Sequence, residues 1–158
     1  ESIPASFLSA WFISFAEVAL LLFYMDLVLG AIDLPGQIGR ILVICAAATL
    51  YSSALGMVIG TVGSLSEKLK NGLVVAVSMT CSFAAVLMIS GVKGAIEKYV
   101  PLINRINPGA LTTDAFYSVL VYEDAERYFR SLGLLAALGL LLLGIAVLSM
   151  RRMRYESI

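Results

Sequence analysis

The sequence predicts an all-α, polytopic integral membrane bundle. Only 14% of its 158 residues are charged and 60% are hydrophobic, whereas a soluble domain carries about 25% charged residues. Mean hydropathy is +0.95. The apolar residues gather into runs long enough to cross a bilayer as helices, which takes about 20 residues each. Four transmembrane helices are expected, over 7–30, 41–62, 73–91 and 132–150, within a single transmembrane domain covering 1–158. A short re-entrant or interfacial helix pair is expected before the last span.

The first span follows Ser6 and Pro4, residues suited to a helix start. A short connector with Pro35, Gly36 and Gly39 as breakers leads to the second span. There, small residues recur every fourth position: Ala48, Ser52, Gly56, Gly60 and Ser64. That spacing lines one helix face and predicts close approach of another helix backbone, since lipid supplies no hydrophobic drive for association. The next connector carries Glu67, Lys68 and Lys70. The third span holds Ser78, Thr80 and Ser82, which can bond their own backbone or a neighbouring helix. The fourth exits into Arg151, Arg152 and Arg154. Basic residues divide almost evenly between the two sides, but the density of this exit places both termini, and the tail 151–158, in the cytoplasm.

The long polar segment 93–130 is therefore extracytoplasmic (the outer segment proper runs over 92–130). It holds ten of the chain's 22 charged residues and four of its seven tyrosines. Asn107 can cap a helix with Pro108 in its first turn. From there Leu111, Ala115, Phe116, Val119 and Leu120 share one face, while Thr112, Thr113, Asp114, Tyr117 and Ser118 share the other. The result is an amphipathic helix too short to span a bilayer. An earlier short piece, 94–100, ends at Pro101. Two readings stay open: a surface loop with an interfacial helix, or a re-entrant pair, which needs protein or water around its broken backbone.

Several chemistries are excluded. Histidine is absent and formal net charge is zero, which removes His-based metal and catalytic sites and any bulk attraction to nucleic acid. No phosphate-binding GxxxxGK[ST] pattern occurs, so any ATP is bound by another subunit. Cys45 and Cys81 lie in apolar runs and read as buried free thiols. Glu17, deep in the first span, costs about 2.5–3.5 kcal/mol at a helix centre on insertion scales. It is expected to face protein or water, as a pathway or interface residue or as a structural carboxyl. Asp26, near the span's end, is expected to reach the interface. Asp114 and Tyr117 are candidate pathway residues on the short helix.

The order of spans, and above all the stretch NPGALTTDAFYS followed by an aromatic-acidic run, resembles the C-terminal portion of the membrane (permease) subunit of type-2 ABC exporters. That resemblance covers essentially the whole chain. It implies a fragment of a six-span, non-catalytic permease with two spans upstream, in keeping with a sequence that starts at Glu1 without a signal peptide. It further implies a dimer with a second permease copy or half, a surrounding lipid membrane, and a cytoplasmic ABC ATPase that holds the ATP and Mg. The 64–71 connector, with Glu67, Lys68 and Lys70, would receive the ATPase stroke, and 93–130 would cap the pathway. An ion-coupled secondary transporter with Glu17 as its ion site, and a non-transporting membrane scaffold, are the alternatives. No motif identifies the cargo, which in the family ranges from drugs to lipids and glycans.

Overall fold

The computed structural model describes residues 3–30, 36–63, 65–89 and 105–156, and all regular structure among them is helical. Helix α1 is Ile3–Leu27, α2 is Ile38–Gly60, α3 is Glu67–Ile89, α4 is Pro108–Leu120 and α5 is Ala125–Glu156. Among the described residues, three helices are long and apolar enough to cross a membrane: Ala5–Leu27, Ile38–Gly60 and Ala125–Arg151. The expected third span falls on α3, whose first turn carries Glu67, Lys68 and Lys70. Only 71–89 of that helix is uncharged, and the rest of the expected span, 90–91, lies outside the described residues, as do 94–100 and Ser64. The last span begins earlier than its apolar run. Its helix begins at Ala125, so the last residues of the polar segment, through Arg130, are already helical.

The helices pack around α2. Its longest partner is α5, with α1, α4 and α3 on its other flanks. Leu22, Ile41, Ile44, Cys45, Ala115, Val119 and Tyr128 form one buried cluster, and Ala47, Tyr51, Leu111 and Leu135 form a second. Helix α4 contributes to both, so it acts as a wedge. Its direction follows from polar contacts. At its start, Ile106 O accepts a bond from Tyr51 Oη (2.8 Å), and Asn107 Nδ2 donates to Cys81 O (3.0 Å). Tyr51 lies about 20 Å along α2 at 1.5 Å per residue, near its middle. At its far end, the adjoining Tyr128 donates to Arg40 O (3.3 Å), at the beginning of α2. Helix α4 thus runs antiparallel to α2, from α2's middle to its first turn.

Local chemistry explains both ends of α4. Asn107 is extended (φ −75°, ψ 115°) and its side chain accepts from Gly109 N at 2.9 Å, with Pro108 in the first turn where a missing N–H is harmless. At the other end Glu123 takes φ 50°, the left-handed region uncommon outside glycine. That reversal lets Asp124 N reach Ser118 O (3.0 Å), while Asp124 Oδ1 caps α5 by accepting from Arg127 N (3.1 Å). Helices α4 and α5 therefore form a tight hairpin. Between α1 and α2, Trp11 Nε1 donates to Ala46 O (3.1 Å). Interhelical polar contacts of this kind contribute about 0.6–2 kcal/mol each in membrane bundles.

Candidate functional site

An open cavity of about 520 Å³ lies between α2, α3 and α4, with Val18 of α1 at its edge. Its α2 wall includes three of the small-residue series, Ala48, Ser52 and Gly56, beside Cys45, Thr49, Leu55 and Ile59. Within the described chain, no neighbouring backbone closes on the glycines of this series. A Cβ built on Gly56 or Gly60 meets nothing within 4 Å, and Ser52 and Gly60 are exposed. The cause is α4, which packs against both α2 and α3 over the half of α2 that precedes Tyr51 and so stands between the two helices. The small side chains then enlarge a space instead of closing one.

The close approaches lie elsewhere. A Cβ on Gly139 would meet Tyr51 Cα at 3.2 Å and Tyr51 N at 3.3 Å, which marks the tight α2–α5 crossing. A Cβ on Gly109 would meet Cys81 O at 3.1 Å and Ala85 Cβ at 3.2 Å, where the start of α4 seats on α3. The α5 run holds three glycines, Gly133, Gly139 and Gly144, and only at Gly139 does a neighbouring backbone come close, so the sequence does not single out the first. No sequence signal marks the second, because its partner is set by the folding back of α4.

Among the described residues, the cavity lining contains no Asp, Glu, Lys or Arg. Its polar atoms are hydroxyls and thiols: Thr49 and Ser52 on α2, Ser78 and Ser82 on α3, Thr112 and Thr113 on α4, with Cys45 and Cys81. Thr49 donates to Cys45 O (2.7 Å) and Thr112 to Pro108 O (2.6 Å), leaving their oxygens as acceptors. The start of α4 opens here too, but Asn107 already binds Gly109 N and Pro108 has no N–H to give.

The candidate pathway residues Glu17, Asp114 and Tyr117 are not among the residues that line this cavity. Glu17 is on the exposed face of α1. Tyr117 is 36% exposed, its ring 6.2 Å from that of Tyr122. Asp114, expected to face water or the pathway, faces α5 instead, with 22% of its side chain exposed. Its Oδ1 accepts from Arg127 Nε (2.8 Å) and Nη2, and its Oδ2 from Ser131 Oγ (2.7 Å). The Arg127 guanidinium also lies 5.1 Å from the centre of the Tyr122 ring. The same hairpin shifts the expected faces of α4: Ser118 is buried and Leu120 is 42% exposed, while Leu111, Ala115 and Val119 are buried as expected and Phe116 is partly so. Sequence spacing could not pair Asp114 with Arg127 because the link crosses the turn at 121–124.

Glu67, Lys68 and Lys70 form the first turn of α3, just after the α2–α3 turn. Lys70 Nζ lies 3.5 Å from Glu67 Oε1, and Lys68 is exposed. Among the described residues, no cluster of three or more His, Cys, Asp or Glu side chains could hold a metal ion.

Three helices among the described residues that are long and apolar enough to cross a membrane define this as a polytopic helical membrane protein. Residues 4–148 match the family model described as ABC-2 family transporter protein, and the chain belongs to that family. It is accordingly a membrane transport component, in a family whose membrane part is non-catalytic and is served in general by an ABC ATPase. No curated protein and no solved structure matches the chain significantly.

Proposed function

We propose that this chain is the permease of an ATP-driven exporter in a cell membrane, forming the substrate pathway while a separate cytoplasmic ATPase binds ATP and Mg. The observation that carries this reading is the family match over residues 4–148, nearly the whole chain. A second permease copy or half completes the pathway. The α2–α3 turn and the first turn of α3 face the cytoplasm and receive the ATPase stroke through Glu67, Lys68 and Lys70. Helix α4 enters from the outer side as a re-entrant wedge. Its start beside Tyr51 and Cys81 is supported there by Tyr51 Oη donating to Ile106 O, Asn107 Oδ1 accepting from Gly109 N, and Asn107 Nδ2 donating to Cys81 O of α3. Movement transmitted through α3 would then reach α4 directly at Gly109, where the two helices touch.

The test is a double substitution, Lys68→Glu with Lys70→Glu, in a complex purified with its ATPase. Membrane insertion and assembly should persist, while hydrolysis and transport become uncoupled. The exposed 3.5 Å pair with Glu67 adds little that could confound the result. Unchanged transport with unchanged stimulated hydrolysis would remove this connector from the coupling path. Failure of the wild-type chain to associate with any ABC ATPase would remove the permease reading itself.

A further inference from the structure

We infer that the cavity between α2, α3 and α4 is a binding site for an uncharged amphiphile with an aliphatic chain, such as a long-chain alcohol. Its volume, about 520 Å³, falls in the range of small-molecule sites, roughly 300–1,000 Å³, which are mostly apolar with a few placed polar groups. The chemistry of the wall selects the guest. An ionic head group would lose its hydration and, among the described residues, find no opposite charge, because the described lining has no carboxylate, amine or guanidinium. At the start of α4 the Gly109 N–H is already taken by Asn107 Oδ1 and Pro108 has no N–H to offer an anion. A neutral hydroxyl or carbonyl, in contrast, finds Ser52 and Ser78, whose hydroxyls have no protein partner among the described residues. The hydrocarbon finds Leu55, Val77 and Phe116. The small series on α2 serves to make this room, since any larger side chain at Gly56 would occupy it.

Binding needs no ATPase, so the site stands apart from the transport reading. That the guest is also cargo rests on that reading. The site is tested with three photoreactive probes sharing one diazirine-bearing aliphatic chain and ending in a hydroxyl, a carboxylate or a trimethylammonium group. They are applied to the purified full chain in nanodiscs of phosphatidylcholine. The alcohol should label residues on α2 and α3 facing the cavity and be displaced by excess unlabelled alcohol. The charged probes should label there at least tenfold less. Gly56→Phe should lower alcohol labelling about tenfold, and Ser78→Phe, which fills the space from α3, should do the same if the first variant folds poorly. Equal labelling by all three probes, labelling that does not saturate (bulk lipid merely solvating the groove), or labelling unaffected by both fillings would overturn the site. So would disulfide cross-linking of Ser52→Cys between two copies in a background lacking Cys45 and Cys81, because the occupant would then be a second chain. Saturable alcohol binding in a chain that transports nothing with its ATPase would instead leave the site intact and sink the exporter reading.

Discussion

Replacing Asp114 with Ala should free α4 from α5 without unfolding the bundle. The carboxylate accepts two bonds from Arg127 and one from Ser131, and the pair is mostly shielded, with 22% and 28% of the Asp114 and Arg127 side chains exposed. A hydrogen bond to a charged group contributes about 1.5–3 kcal/mol net. The three bonds do not sum, because Arg127 can turn its guanidinium toward water over the Tyr122 ring once its partner is gone. The expected loss is thus about 1.5–3 kcal/mol in the free energy of locally opening α4. At a factor of ten for every 1.4 kcal/mol, amides over 111–121 should exchange hydrogen for deuterium roughly 10- to 100-fold faster. The rest of α2 and α5 should change little. Arg127→Leu should give a similar acceleration, and the double variant should cost less than the two single losses together, the mark of a direct coupling. Unchanged exchange in α4 after Asp114→Ala, or strictly additive effects in the cycle, would show that the apolar wedge alone holds α4 in place.

Two further outcomes separate the observed packing from its alternatives. Gly139→Ala should destabilise the detergent-solubilised protein by about 1–3 kcal/mol, because the new methyl group presses on the Tyr51 backbone. Gly56→Ala, which meets open space, should be neutral or stabilising by up to about 1 kcal/mol through helix propensity; reversed unfolding midpoints for this pair would move the tight crossing back to the small-residue series. In a background lacking Cys45 and Cys81, Tyr117→Cys should react with a membrane-impermeant thiol reagent added outside intact cells, and Ala115→Cys, fully buried, should not. Labelling of Tyr117→Cys only after the membrane is opened would invert the orientation, and equal labelling at both sites would undo the docking of α4.

The sequence by itself determined what depends on neighbours along the chain. Helical class and membrane placement follow from composition, since a backbone in hydrocarbon must satisfy its own hydrogen bonds. The start of α4 was legible because Asn107 and Pro108 act on amides two or three residues away. Its buried stripe of Leu111, Ala115 and Val119 was legible from helical spacing. The family was legible as well, in the stretch around α4.

What only the tertiary structure decided is which faces meet. The small residues Ala48, Ser52 and Gly56 suit a tight crossing and a cavity wall equally well, and α4 wedged between α2 and α3 made them a wall. Asp114 suits a water-facing position and an ion pair equally well, and the left-handed turn at Glu123 brought Arg127 and Ser131 to it. In a membrane bundle nearly every helix face is apolar, so hydropathy cannot rank the possible neighbours. The choice falls to shape and to a few polar contacts between residues far apart in the chain, Tyr51 with Ile106 and Asn107 with Cys81 among them.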